Sequence, residues 1–224
     1  MRFTVENNHA LNLANFDTLI AKILGYGKYY NPMKSSIHVD ALSLVSQNAK
    51  AAITNVKLFT LEYTQSSHDC EVAFTSLQVM NEKIYKALQS TTHISETEMH
   101  MIVGAGKAAG SNPLSQQQCD LLLENFCRII NLLKANPWYL PQKSELKIQT
   151  LEELYAILYL KNEAVKKRYA LLNHAHIVTN EVMYRHLHGL AALATTAKMY
   201  VKYHFGWDSE EFKQVAGLLI KKAR

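Results

Sequence analysis

Two long stretches of the chain, 33–103 and 142–188, contain neither glycine nor proline. Within the first, steps alternating between three and four from Leu42 land on Val45, Ala49, Ala52, Val56, Phe59, Tyr63, Ser66, Cys70, Ala73, Leu77, Met80, Ile84 and Ala87, and only Ser66 is plainly polar. A stripe sustained at that spacing predicts a helix that keeps one seam on a partner helix. The second stretch follows the rule more loosely: Ile148, Leu151, Tyr155, Leu158, Asn162, Val165, Tyr169, Leu172, His176, Thr179, Met183, His186, Leu190, Leu193, Ala197, Tyr200. A helix of about 50 residues reaches roughly 75 Å at 1.5 Å per residue. Polar residues at 64–69 and at 173–176 are two places where such helices could break and recap. The stripe stays in phase through both, so each stretch is read as one unbroken or gently bent helix.

Shorter elements flank these stretches. Apolar helices are expected over 11–24 and 116–133, each followed by a Tyr/Pro turn, because proline fixes φ and pushes the residue before it out of the helical region. Gly206 suits the left-handed position that ends a helix. Asp208 and Glu211 then have capping-box spacing for a last helix, with Phe212, Val215, Leu218 and Leu219 on its apolar face.

The chain also repeats itself. Tyr30-Asn31-Pro32-Met33-Lys34-Ser35-Ser36-Ile37-His38-Val39 recurs as Tyr139-Leu140-Pro141-Gln142-Lys143-Ser144-Glu145-Leu146-Lys147-Ile148. Upstream, Asn15-Phe16 with Leu19-Ile20 recurs as Asn125-Phe126 with Ile129-Ile130. The expected architecture is therefore all-α: a two-repeat helical bundle with two long heptad-patterned helices and shorter helices packed alongside. It divides into a first repeat at 1–103, a junction at 104–113, a second repeat at 114–206 and a C-terminal helix at 207–224.

Composition narrows the class. Of 224 residues 48% are apolar, which excludes a disordered chain. Only 8 glycines and 4 prolines are present, too few turn formers for an all-β sandwich or barrel. Charged residues reach 19%, below the usual ~25%, which leaves surface to be covered by the chain or by a partner. The first residues have no apolar core of signal-peptide length, and no uncharged apolar run reaches about 18 residues, so no membrane-spanning helix is expected. Three cysteines, Cys70, Cys119 and Cys127, form no CxxC and read as free thiols of a cytoplasmic protein. The net charge of +5 is scattered, its densest cluster being Lys213, Lys221, Lys222 and Arg224, and does not form the clustered footprint of a nucleic-acid binder.

The turn from Gly25-Tyr26-Gly27 to Tyr30-Asn31-Pro32, and the ending Val201-Lys202-Tyr203-His204-Phe205-Gly206 with Ser209, Glu211, Phe212, Lys213, Gln214 and Val215, resemble an uncharacterised family of bacterial all-helical proteins. The resemblance runs along most of the chain and implies a two-repeat helical fold. It assigns no activity and no catalytic residue. The chain departs from that family near the junction, where His93-Ile94-Ser95-Glu96-Thr97-Glu98 replaces a more basic stretch.

Several motifs invite chemistry. Gly104, Gly106 and Gly110 follow an apolar triplet, with Glu124 twenty residues after Gly104, as in a dinucleotide-binding turn. That mechanism needs a preceding strand and a following helix N-terminus, whereas a helical stretch precedes here and Asn112-Pro113 follows, so a flexible junction is the better reading. His93, Glu96 and His100 share one helix face but lack the second ligand set a metal bundle needs. On the seams, Asn162, His176, Thr179 and His186 of the second stretch and Ser66 and Cys70 at the corresponding level of the first would meet as a polar layer if a pseudo-twofold relates the repeats. A Cys70–His176 nucleophile and base would lack an orienting group, so a hydrogen-bonded layer that fixes register is preferred. Tyr30 with Lys34, and Tyr139 with Lys143, are read as turn anchors, with Ser35 and Ser144 capping the next helix.

These readings predict a non-enzymatic structural or protein-interaction bundle that associates with itself or with other proteins. They assign no catalytic, cofactor or metal residue and no small-molecule substrate. The alternative is a bundle holding a small ligand or metal in its mid-helix polar layer. A membrane-active protein comes third, with only Gly189-Leu190-Ala191-Ala192-Leu193-Ala194 in its favour.

Overall fold

The computed structural model describes residues 2–89 and 115–221. Among them the chain forms α-helices and short 3₁₀ turns and no strand. The α-helices are α1 (Arg2–Gly25), α2 (Val39–Gln89), α3 (Gln116–Ala135), α4 (Ile148–Tyr184), α5 (Leu190–Phe205) and α6 (Glu210–Ala216). The junction at 104–113 lies outside the described residues.

Helix α2 runs unbroken for 51 residues through the polar stretch at 64–69. Every position of its expected stripe from Leu42 to Ala87 is buried or half-buried. Ser46, Phe74, Asn81 and Leu88 are buried beside them, so the covered face is wider than a two-position seam. Helix α4 also passes 173–176 without a break but stops at Tyr184, which corrects the expectation of one helix from 148 to 205. The cause is at Gly189. A Cβ there would meet the Arg185 backbone nitrogen at 2.5 Å and its carbonyl oxygen at 2.8 Å, so only glycine allows the chain to fold back on the end of α4. Leu187 takes a positive φ of 64°, a conformation a leucine holds only where its surroundings enforce it. Gly206, at φ 100°, ends α5 as expected.

The last helix corrects a second expectation. Its cap is Ser209, whose hydroxyl accepts from the Phe212 amide at 3.1 Å, not Asp208. It ends at Ala216, so Leu218 and Leu219 lie beyond it, and Leu219 is exposed.

The folded chain divides into two compact units. One comprises Met1–Thr60 and Leu171–Arg224, the other Leu61–Ala170. Each therefore draws on both halves of the sequence: a short helix, its turn, the head of one long helix and the tail of the other. The first unit's core gathers Phe16, Leu19, Ile23, Leu42 and Ala49 with Met183, Leu190, Ala197, Val201 and Val215. The second gathers Phe126, Ile129, Leu133, Leu151 and Leu158 with Phe74, Leu77, Ile84 and Leu88.

Both Tyr/Pro turns have the same internal bond. The Tyr30 hydroxyl donates to the Ile37 carbonyl at 2.8 Å, and the Tyr139 hydroxyl to the Leu146 carbonyl at 2.6 Å. Each bond spans a 3₁₀ turn, Ser35–Ile37 or Ser144–Leu146. Ser35 and Ser144 open these turns instead of capping the helices. The carbonyls of His38 and Lys147 accept the first helical bonds, from Leu42 and Leu151. Burial raises both phenols, Tyr139 to about 12, and Tyr200 raises Tyr30 further.

Candidate functional site

A polar grouping inside the second unit joins α3 and α4. Helix α3 begins with a capping box, in which the Ser115 hydroxyl accepts from the Gln118 amide and the Gln118 side chain accepts from the Ser115 amide. That cap fixes the first turn of α3, which presents Gln116, Cys119 and Asp120. Asn162 of α4 is 1% exposed and satisfied from the same turn. Its side-chain amide donates to Asp120 Oδ1 at 2.6 Å, and Gln116 Nε2 donates to its carbonyl at 2.5 Å. Lys166 Nζ lies 2.8 Å from Asp120 Oδ1 and 3.0 Å from Glu163 Oε1. The bond from Lys166, with those from Asn162 and Gln116, holds the Asp120 carboxyl below its usual range against the effect of burial. Hydrogen bonds to Asp120 and then Glu163 raise Lys166 to about 12.

Beside this network a cavity of about 200 Å³ is lined by Tyr63, Ser67, Cys70 and Glu71 of α2, Gln116 and Cys119 of α3, and Val165 of α4. Cys70 and Cys119 are both buried and line this cavity together. The pair loses its first proton from Cys70: the Cys119 S–H stabilises that thiolate, burial opposes it, and Lys161 assists. Cys119 is correspondingly raised, first by its bond to Cys70 and then by burial. The Ser67 hydroxyl oxygen is buried and has no hydrogen-bond partner among the described residues.

The expected register layer is only partly assembled. Asn162 is in the network just described. Thr179 is buried but bonds back to the Ala175 carbonyl of its own helix at 2.8 Å. His176 is half-buried in the first unit, and His186 is exposed in the turn after α4. Ser66 is half-buried. Cys70 has Cys119 as its partner, and His176 belongs to the other unit, which removes the basis for the Cys70–His176 pairing. Glu124 is exposed and paired with Arg128. His93, Glu96, His100 and the glycines at 104–110 lie outside the described residues. Among the described residues no three histidines, cysteines or carboxylates gather as a metal site. No described helix is long and apolar enough to cross a membrane.

Sequence reasoning missed Cys119, Asp120 and Gln116 as partners of Cys70 and Asn162. The one available signal was that Cys119 precedes Leu122, Leu123 and Phe126 at helical core spacing, so that its thiol had to point inward.

A second cavity, of about 410 Å³, lies at the Tyr139 turn between Lys83, Lys86 and Lys143, with Trp138 and Leu140 beside it. Lys83 is paired with Glu145 at 2.9 Å.

Apolar residues also face outward. At seven-residue intervals α2 reads Leu44, Ala51, Leu58, Gln65, Val72 and Val79, and all six are exposed. Each unit carries its own length of this row. Leu61 is also exposed, at 69%.

The chain matches no family profile, no curated protein and no solved structure.

Proposed function

We propose that the chain is a non-enzymatic helical interaction protein that associates with a second copy of itself through the outward face of α2. The observation that carries this reading is the exposed row Leu44, Ala51, Leu58, Val72 and Val79. A seven-residue apolar repeat is the spacing with which one helix follows another, and here it lies on the face opposite the chain's own core. Charge along the row favours a second copy as the occupant. Lys57 flanks its first half and Glu71 its second, while Lys50, Glu62 and Asp69 are already paired within the chain, with Asp17, Arg168 and Lys161. Two copies laid antiparallel set opposite charges side by side. Isolated exposed leucines are ordinary, but a regular row of them is a binding surface or an aggregation hazard.

The two turns with matching bonds support a duplicated ancestral unit whose long helices took on the pairing role. The resemblance to an uncharacterised bacterial helical family belongs to this proposal and brings no activity with it, as does the cytoplasmic location. The test is mass by sedimentation over a range of concentrations. A multiple of the 25.4 kDa chain mass is expected, and a constant 25.4 kDa overturns the reading.

The alternative reading, a small ligand or metal held in the polar layer, is favoured by the cavity beside Asn162, Cys70 and Cys119. Absorbance and metal analysis of the purified protein test it. A bound chromophore or a stoichiometric metal would replace the interaction reading, and a clean apoprotein would remove the alternative.

A further inference from the structure

We propose that Cys70 and Cys119 are a modification site for hydroperoxides, closing a reversible disulfide between α2 and α3, with Cys70 as the attacking thiol and Cys119 as the resolving one. The two thiols come from different helices, are both buried and line one cavity, where each shifts the titration of the other. Cys70 and Cys119 are only 4% and 5% exposed, so an oxidant reaches them through the cavity. Its space, about 200 Å³, accommodates a peroxide, since a water occupies only about 30 Å³ in the liquid. Glu71 on the rim is exposed and Gln116 half-exposed, which leaves an entrance. The buried Ser67 hydroxyl, without a partner of its own, lines the same space and can donate to a peroxide oxygen. Lys161, 3.7 Å from Asp69, places a positive charge where it favours the Cys70 thiolate.

The chemistry balances with a hydroperoxide as the only oxidant. The Cys70 thiolate attacks the outer peroxide oxygen; an S–O bond forms, the O–O bond breaks, and the alkoxide or hydroxide leaves and takes up a proton. Sulfur is oxidised by two electrons and the peroxide is reduced. The Cys119 sulfur then attacks the sulfenic sulfur of Cys70; the S–S bond forms, the S–O bond breaks, and the Cys119 proton leaves with the hydroxide as water. A thiol reductant restores both groups. Cys127 is the internal control. It is half-buried, lies outside the cavity and accepts from Asn131 Nδ2 at 3.8 Å.

The experiment exposes the full native chain to hydrogen peroxide and reads intact mass, free thiols and linked peptides. The expected result is loss of two hydrogen atoms, a fall from three free thiols to one, and a peptide joining Cys70 to Cys119, all reversed by dithiothreitol. Linking should run about tenfold faster in the folded chain than in urea, because the fold supplies the proximity. In Cys119→Ser, or Cys119→Ala if serine disturbs helicity, dimedone should label Cys70 as a trapped sulfenic acid. In Cys70→Ser, Cys119 should remain unlabelled. Three unchanged thiols in a fully helical protein, a linkage to Cys127, or linking that is no faster folded than unfolded would each overturn the proposal. None of these readouts depends on self-association, so the two proposals fail separately.

Discussion

The Tyr30 and Tyr139 turns share the pattern Tyr-x-Pro-x-Lys-Ser and form the same hydrogen bond, yet they are buried in different ways. Tyr30 is closed over by α5, where Tyr200 meets its ring edge-on at 5.1 Å, and Pro32 is buried beneath it. The neighbouring Tyr26 reaches the Glu211 carbonyl at 2.7 Å and packs against Phe205. Among the described residues no such helical pair closes over the Tyr139 turn. Its Pro141 is half-buried, Trp138 and Leu140 are exposed, and a cavity of about 410 Å³ stays open beside three lysines. One local sequence therefore sets the bond within the turn, and what covers the turn depends on residues far away in the chain. In the first unit the cover is formed by elements that start after two glycines, Gly189 in close contact with the Arg185 backbone and Gly206 at φ 100°.

The predictions test that contrast. The largest effect is expected from Phe16→Ala and Phe126→Ala, since each ring is completely buried in its own unit. Each should cost about 3–5 kcal/mol. Trp207 lies in the first unit and Trp138 in the second, so tryptophan fluorescence during urea unfolding separates the two. Phe126→Ala should shift the Trp138 transition more than the Trp207 transition, and Phe16→Ala the reverse.

Closing the Cys70–Cys119 disulfide should raise stability by up to about 4 kcal/mol for a loop of roughly 50 residues. The gain should appear first in the Trp138 transition. Replacing Tyr200 with leucine removes an edge-on aromatic contact worth about 0.5–1.5 kcal/mol from the first turn and should leave the Trp138 transition unchanged. Tyr30→Phe and Tyr139→Phe should each cost about 1 kcal/mol, because each leaves one buried carbonyl without its donor.

A further effect is alkaline. Burial raises Tyr139 from 10.0 to about 12, so the folded state holds this proton more tightly than the unfolded chain. Its contribution is complete below pH 10 and lost as pH rises towards 12. Phenolate absorbance should show a late step that Tyr139→Phe removes. Tyr30→Phe should remove a still later one, because Tyr200 adds to the effect of burial there.

Much of this fold is legible in residue spacing. Alternating steps of three and four recover the covered face of α2, because a helix repeats every 3.6 residues whatever it packs against. The break after α4 is not legible that way. Leu190, Leu193 and Ala197 continue the count of Met183, and the reversal rests on how closely two backbone segments approach at Gly189. The site was half legible. Asn162 and Cys70 stand out as polar or reactive groups at core positions. Their partners Asp120, Gln116 and Cys119 lie on α3, and nothing local marks which turn of which helix will meet them. The outward row on α2 is not legible in spacing alone, because it is apolar at nearly every position, as the inward stripe is. Exposure alone distinguishes Leu58 and Val72 from Val56 and Cys70.

The most direct test of the central claim compares the light-scattering mass of the wild-type chain with those of Leu58→Glu, Val72→Glu and Leu219→Glu. All three residues are apolar and exposed, at 49%, 58% and 62%, but only the first two lie on the row. The account predicts a multimer for the wild type and for Leu219→Glu, and a shift towards 25.4 kDa for Leu58→Glu and Val72→Glu with helicity intact. A wild type that stays at 25.4 kDa, or row variants that keep the wild-type multimer mass, would contradict it.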